Sequence, residues 1–219
     1  MDANAMQTTE NGIATRLAQR AVAKREANYA SEVRRLLDAG LEVMRRCGTT
    51  SRPRVADIVA AAGLSNEAFY RHFPSKEALV AAILEEGTEI LRAYLDHQMA
   101  KESSPEAKVR RWVEGVLSQA VDANIASTTL AVLWNAGSGG EGLASGHSSI
   151  NPSLATLLQA PLADLGSADP ELDASLASHA TVGRLSDCLL RRIRPTPAET
   201  ERVASFCIRA VTPRAVSDP

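Results

Sequence analysis

Between residues 66 and 72, closely spaced polar side chains have the chemistry to contact a nucleic acid. Asparagine and glutamate can pair with base edges, whereas a phenol, an imidazole and a guanidinium suit phosphate. The apolar residues around them recur at helical spacing and can face inward: Leu64, Ala68, Phe69 and Phe73. The pattern predicts a short helix whose outer face its own fold does not need, and the major groove admits such a helix. The outward side chains are those of Asn66, Glu67, Tyr70, Arg71 and His72.

A helix and a turn must position that face. Apolar residues at helical spacing between positions 55 and 59 predict a preceding short helix. Gly63 then supplies the left-handed conformation that a sharp turn requires, and Ser65 is a suitable N-cap. Pro74 ends the second helix, and a longer helix capped by Ser75 is expected from Lys76. Together these elements predict a helix-turn-helix.

The stretch AGLSNEAFYRHFPSKEAL resembles the signature of the tetracycline-repressor (TetR) family of bacterial transcription regulators. The small-residue turn, the F-Y-R-H-F run and the P-S-K-E-A-L continuation all fall at that family's spacing. The resemblance covers roughly residues 30 to 80, and the remaining chain matches only in general layout. It implies an all-α fold, in which an N-terminal three-helix head is followed by a larger helical ligand-binding and dimerisation body.

The resemblance also implies roles in DNA binding. Tyr70, His72 and Lys76 match positions that clamp the DNA backbone in the family, and Asn66 lies nearest the base edges. Glu67 departs from the family's common small or basic residue, so it either accepts from cytosine or stabilises the helix N-terminus. A packed Tyr70 and a solvated His72 are the structural alternative. The expected DNA-binding set also includes Ser65, Arg71, and the two arginines that flank a proline, Arg52 and Arg54.

Charge is distributed unevenly along the chain. The net charge is only −2, but residues 11–76 hold 12 basic and 6 acidic residues, a balance of +6. From residue 81 onward, 12 basic and 17 acidic residues give −5. A basic N-terminal part on an acidic remainder fits a DNA-contacting head on a soluble body.

Two other function classes fit less well. A sequence-independent, architectural DNA-binding protein relies on broad phosphate neutralisation, which the acidic remainder opposes. An enzyme built on the helical body is the other alternative. The sequence holds no nucleophile elbow, phosphate loop, zinc-binding pair or carboxylate dyad in a suggestive context, so no catalytic residue is expected.

The chain also lacks signals for a membrane, a disulfide framework or a cofactor. No apolar run approaches the roughly 20 residues that span a bilayer, and the first dozen residues lack a signal-peptide core. We therefore expect a cytoplasmic protein. Isolated histidines give no metal spacing, and neither do the three widely spaced cysteines, for which buried thiols are expected: Cys47, Cys188 and Cys207.

Helical signals continue throughout the chain and divide it into three parts. Residues 1–12 are expected to be a disordered tail. Residues 13–80 are predicted to form the helix-turn-helix domain with a basic N-terminal extension, and residues 81–219 the effector-binding and dimerisation domain. In the head, separate helices are expected over residues 13–28 and 29–47. Residues 137–149 are rich in glycine and serine and predict a loop.

The last two predicted helices, over about 170 to 193 and 197 to 211, carry wide apolar faces. In the resembled family, two such helices form a four-helix interface with a second subunit. A two-fold dimer also reads two half-sites roughly 34 Å apart, which suits a palindromic double-stranded DNA operator. A homodimer through about 170–211 is therefore expected. Burial of both faces within one monomer is the alternative.

The family's C-terminal domain usually holds a small-molecule pocket. Four of the chain's eight aromatic residues lie in the DNA-binding part, so an aliphatic pocket for a hydrophobic effector is favoured over an aromatic cage. Core packing is the alternative for both tryptophans. The resulting hypothesis is a repressor that such an effector releases from its operator, although activation also fits the sequence. The candidate lining residues are Trp112, Trp134, Asn135 and His147.

Overall fold

The structure, a computed structural model, describes residues 3–137 and 143–211, with only the backbone given for residues 3–12, 14 and 143–151. Within those ranges the chain forms α-helices and one 3-10 turn, without a strand, which confirms the all-α prediction. The helices are α1 (Ala3–Cys47), α2 (Val55–Ala62), α3 (Asn66–His72), α4 (Lys76–Met99), α5 (Pro105–Leu117), α6 (Ala123–Ala136), α7 (Leu143–Asp164), α8 (Pro170–Arg191) and α9 (Pro197–Val211), and the 3-10 turn is Ser118–Ala120.

Helix α1 is one continuous element where the sequence predicted two helices behind a disordered tail. It begins at Ala3, so residues 3–12 belong to it, and the expected break near residue 28 does not occur. Between residues 13 and 39 there is neither proline nor glycine, and nothing else in that segment stops a helix. Gly48, in the left-handed region at φ 56°, follows its end.

The turn and the caps of the helix-turn-helix form as the sequence predicts. Gly63 ends α2 with φ 62° and ψ 39°, the left-handed conformation expected there. Ser65 caps α3 by accepting a hydrogen bond from the Ala68 amide at 3.1 Å. Ser75 caps α4 in the same way, at 3.1 Å from the Ala78 amide. Each cap satisfies a backbone donor in the first turn of its helix, so the starts of α3 and α4 are determined locally.

In the body, the predicted glycine- and serine-rich loop is shorter than expected. Helix α7 already begins at Leu143, so the segment from 143 to 149 is helical, and residues 138–142 lie outside the described residues. The capping box before α9 forms in both directions. The Thr196 amide donates to the Glu199 carboxylate at 2.9 Å, and the Glu199 amide donates to the Thr196 hydroxyl at 3.2 Å.

One apolar core runs through the head and the body. Leu36 of α1, Ile58 of α2, Phe69 of α3 and Leu79 of α4 are fully buried together in the head. Helix α4 continues from there into the body, where its Leu95 packs in the same core. Helix α4 therefore contributes buried side chains to both parts.

Among the described residues, no single helix has both the length and the apolar character to cross a membrane. One pair, Pro105–Ala120 with Ala123–Ala136, meets the criteria of length and composition together, and it is bent by 87°.

Two helix-interior glycines provide a matched test of the packing between α4 and α5. A Cβ on Gly115 would clash with Cδ2 of Leu95, which is fully buried, whereas a Cβ on Gly87 would meet no atom within 4 Å. We expect Gly115→Ala to destabilise the fold by about 1–3 kcal/mol through overpacking. Gly87→Ala should stabilise it by about 0.5–1 kcal/mol through helix propensity. Urea unfolding measures both, and equal effects would contradict the packing described.

Candidate functional site

The recognition helix α3 presents a polar face that the rest of the chain leaves uncovered. Asn66 and Glu67 in its first turn are exposed, and Tyr70 one turn later is 58% exposed. None of these three side chains hydrogen-bonds to another residue in the part of the chain that the structure describes. Ser65, predicted in the same set, has its hydroxyl engaged as the N-cap. The groups nearest the helix N-terminus are therefore free to meet a base edge.

His72 does not belong to that face, and the prediction that it contacts phosphate is wrong for this structure. Its side chain is 0% exposed, so the solvated alternative is wrong as well. The ring lies edge-on against Tyr29, with centroids 4.3 Å apart, and its Nε2 hydrogen-bonds to Oε2 of Glu32 at 2.7 Å. Both partners belong to α1, which lies behind α3.

Glu32 of α1 contacts α3, and no local sequence pattern indicates this contact. The same Oε2 atom that meets His72 also accepts a hydrogen bond from Nη2 of Arg71 at 2.7 Å. These hydrogen bonds, first from His72 and then from Arg71, lower the pKa of Glu32. The carboxylate is thus ionised at neutral pH, and the stabilisation it gives is lost only as the pH falls through that lowered pKa. We call Glu32, Arg71 and His72 the α1–α3 clamp.

A second residue of α1, Arg35, holds the turn between the two short helices. Its Nε and Nη2 donate to the Ala62 carbonyl at 3.0 and 2.5 Å, and Nη2 also donates to the Gly63 carbonyl at 3.0 Å. Carbonyls at a helix C-terminus otherwise lack partners, so a guanidinium there fixes the end of α2. The start of α3 follows directly from that point.

The remaining predicted cations lie at the edges of the head. Arg52 is exposed and has no ion-pair partner among the described residues. Arg54 pairs with Asp57 through two hydrogen bonds of 2.8 and 3.0 Å, which lower the pKa of that carboxyl. The Lys76 ammonium lies 3.6 Å from Glu77. Contact of these three cations with phosphate stays a prediction.

A cavity of about 410 Å³ lies where α1 of the head meets α4, α6 and α8 of the body. Most of its exposed wall is aliphatic, and no aromatic side chain lines it. Its polar and charged lining residues are Arg34, Glu86, Thr88, Gln119, Asn124, Thr128 and Thr129. The volume falls in the range of about 300–1,000 Å³ that is usual for small-molecule sites. The apolar walls include Leu37, Leu41, Ile83, Leu84, Leu91, Val116, Val132, Leu133, Leu154, Val182 and Leu185.

The residues predicted to line a ligand pocket do not line this cavity. Trp112 is fully buried in the core, and its indole N–H donates to the Leu154 carbonyl at 3.1 Å. Asn135 is buried too and donates to the carbonyl of Ala131 on its own helix at 2.8 Å. Trp134 points outward and is exposed. The side chain of His147 lies outside the described residues. Aromatic and polar residue types therefore did not identify the cavity, because aliphatic side chains form most of its walls.

The thiols show no sign of reactive chemistry. Cys188 and Cys207 are buried as predicted, and burial raises the pKa of each thiol. Cys47 is half-buried. Within the described ranges, no three metal-ligating side chains come together.

Helices α8 and α9 leave apolar side chains on the outside. The alternative that both predicted faces are buried within one chain therefore fails for these residues, although Leu189 and Cys207 do face the core. Along α8, the small exposed residues Ala180 and Gly183 lie between the exposed leucines. The exposed apolar residues are Leu172, Leu176, Leu190, Ile193 and Phe206.

Comparison with known proteins agrees with this geometry. Residues 36–83 match the family model described as bacterial regulatory proteins, tetR family, which confirms the resemblance read from the sequence. No curated protein matches the sequence of the chain.

Solved structures of transcriptional regulators share the fold. FadR from Bacillus subtilis, in complex with stearoyl-CoA, is 20% identical with a TM-score of 0.60, over 80% of this chain and 96% of that one. RolR, in complex with the ligand resorcinol, is 16% identical with a TM-score of 0.63, over 89% and 97%. A TetR-family regulator from Agrobacterium tumefaciens is 17% identical with a TM-score of 0.52, over 84% and 100%.

The α1–α3 clamp is tested by comparing Glu32→Ala with Glu26→Ala, an exposed acid on the same helix. Both changes remove one negative charge, which by itself favours DNA binding in general. Only Glu32→Ala also frees α3 from α1, so we expect it to lower the ratio of specific to non-specific DNA affinity several-fold. Glu26→Ala should leave that ratio unchanged. Fluorescence anisotropy with specific and unrelated duplexes measures both, and equal ratios would show that the clamp does not position α3.

Proposed function

We propose that this chain, a DNA-binding transcriptional regulator of the TetR family, represses transcription as a homodimer on a palindromic operator and is released by a hydrophobic small molecule. The observation that carries the proposal is the exposed face of α3, where Asn66, Glu67 and Tyr70 make no hydrogen bond within the described chain. Residues 13–80 act as the DNA-binding head, and residues 81–219 as the effector-binding and dimerisation body. This role on DNA places the protein in the cytoplasm and requires no catalytic activity.

Positions along α3 divide the proposed DNA contacts into two kinds. Asn66 in the first turn pairs with adenine, and Glu67 accepts from a cytosine amino group. Tyr70 lies one turn further along and meets the backbone, as do Arg52 and Lys76 at the edges of the head. Backbone contacts set affinity and orientation, whereas the first turn sets the sequence that is read.

Footprinting on DNA from around the protein's own gene tests this division. We expect protection of an inverted repeat that survives a large excess of unrelated DNA; an architectural protein would be competed away. Asn66→Ala should change base preference at one position of each half-site, by about 1–3 kcal/mol of discrimination. Tyr70→Ala should instead weaken binding to all duplexes alike. An unchanged base preference in Asn66→Ala would overturn the assignment of Asn66.

The exposed apolar stripe of α8 and α9 supports dimerisation. Leu172, Leu176, Ala180 and Gly183 recur at helical spacing on one side of α8, and an added Cβ at Gly183 would meet no atom within 4 Å. A second copy of α8 can therefore approach closely at the small residues while the leucines pack on either side. Exposed apolar stripes of this kind are typical of subunit interfaces.

Leu176→Glu tests the interface directly. A carboxylate at the centre of an apolar contact loses its hydration without gaining a partner, so we expect the variant to be monomeric and to lose operator binding. Leu17→Glu, at an exposed apolar residue of α1, should remain dimeric. Sedimentation velocity distinguishes the two states. A dimeric Leu176→Glu protein would place the interface elsewhere.

The cavity between head and body supports the effector role. Regulators of the same fold hold stearoyl-CoA in one case and resorcinol in another. In this chain, the walls come from α1 and α4, which carry the helix-turn-helix, and from α6 and α8, which do not. An effector acts if it binds the DNA-incompetent arrangement more tightly than the competent one. A cavity whose walls belong to both parts has such a differential affinity whenever the parts shift.

A further inference from the structure

The cavity contains one pair of charged side chains among its described walls, and the pair joins the head to α4. Nη1 and Nη2 of Arg34, on α1, donate to the two carboxylate oxygens of Glu86, on α4, at 2.5 and 2.7 Å. Both side chains line the otherwise neutral cavity. They are 49% and 38% exposed, so the pair lies at the mouth and not at the bottom. An ion pair in contact with water is weakly held and can exchange partners.

The charges around this mouth do not balance. Arg34 also pairs with Asp38 on its own helix, with Nε and Oδ1 3.2 Å apart. Two carboxylates therefore share one guanidinium. The next charged pair along α4, Arg92 with Glu89, is neutral as a pair. The cluster of Arg34, Asp38 and Glu86 consequently carries a net charge of one negative unit, which attracts cations and repels anions.

The energetic cost of displacing one partner of the Arg34–Glu86 ion pair differs between a cationic and an anionic head group of a ligand. If a cation takes the place of Arg34 at Glu86, Arg34 keeps Asp38 as a partner, and every charge remains paired. If an anion takes the place of Glu86 at Arg34, Glu86 loses its one ion-pair partner among the described residues, and a third negative charge enters the cluster. Hydrogen bonds from Arg34 lower the pKa of Glu86, so this carboxylate is ionised at neutral pH and available to a cation.

We infer that the cavity takes an amphiphile with an aliphatic tail and a cationic head, such as an alkylammonium, whose head replaces the Arg34 guanidinium at Glu86. The inference rests on the proposed effector role of the cavity and names its ligand class. The tail packs against the aliphatic walls, which offer no aromatic face for a flat cation. The head reaches Glu86 beside Gly87, where the helix surface is open.

This exchange also supplies a route from ligand to DNA. Arg34 lies between Glu32, which clamps α3, and Arg35, which holds the end of α2. While Arg34 is bound to Glu86, α1 and α4 are tied together at the cavity. Displacement of Arg34 removes this polar link between α1 and α4, which then hold together only through their apolar packing, and α1 is the helix that contacts both parts of the helix-turn-helix. The bound cation thus favours an arrangement in which the recognition helix is no longer held for the operator.

The effect of the head group can be measured with three probes that share a twelve-carbon chain. The probes are dodecylamine, dodecanol and laurate, each used below its critical micelle concentration. Isothermal titration calorimetry with the full chain should give the tightest binding for dodecylamine. Glu86→Gln should weaken dodecylamine by about tenfold or more, as expected on loss of a charge-assisted hydrogen bond, and leave dodecanol unchanged. Glu85→Gln, an exposed neighbour that does not line the cavity, should change neither. Unchanged dodecanol binding shows that the Glu86→Gln cavity is intact.

The other outcomes of the calorimetry would each overturn a different part of the inference. Tightest binding of laurate or dodecanol, or an unchanged dodecylamine affinity in Glu86→Gln, overturns the cationic head while leaving the effector cavity in place. Binding of none of the three probes overturns both the inferred ligand class and the hydrophobic effector. Footprinting of the operator is independent of either result, so failure of the DNA-binding function would be seen there and not in the calorimetry.

Discussion

The structure of the DNA-binding head depends on a short run of charged side chains on α1. Glu32 reaches α3, Arg34 reaches α4 and Arg35 reaches the end of α2, so neighbouring positions of one helix contact every other helix of the head. The apolar core beneath them, including Leu36 and Phe69, supplies the free energy of packing but is not directional. The hydrogen bonds are directional, and they set the angle at which α3 is presented.

The same arrangement makes α1 sensitive to the cavity. Helix α1 contributes Leu37 and Leu41 to the cavity wall, about one and a half and two and a half turns away from Glu32, so a ligand in the cavity would touch the helix that contacts α3. Rigid helices transmit small displacements along their length because their backbone hydrogen bonds resist bending. In the proposed mechanism, repression and release require no unfolding of the head. They require only that α1 and α4 have two relative positions with different affinities for DNA and for ligand.

Local chemistry could be predicted from the sequence, and distant partners could not. Ser65, Ser75 and Gly63 act on neighbours within a few residues, so their cap and turn roles follow from spacing alone. His72 was misassigned because Glu32 and Tyr29 lie about 40 residues earlier in the chain, and no local pattern shows that α1 passes behind position 72. The chemistry of tryptophan favours Trp112 and Trp134 as pocket-lining residues, yet the apolar walls of the cavity are leucine, isoleucine and valine from several helices. Which aliphatic residues face a void depends on how whole helices pack.

Burial of His72 changes how positive charge is placed on the DNA-facing side. The clamp engages Arg71 and His72 with Glu32, so the middle of α3 offers phosphate less cationic charge than its sequence suggests. Asn66, Glu67 and Tyr70 remain, and they are neutral or acidic. In the proposed complex, electrostatic attraction therefore comes from Arg52, Arg54 and Lys76 at the edges. Residues at the edges of the head then set the affinity for DNA, and residues at the centre of α3 set which base sequence is read. A neutral or acidic centre of α3 contributes little affinity for DNA that lacks the operator sequence, because little of its binding energy is non-specific attraction to phosphate.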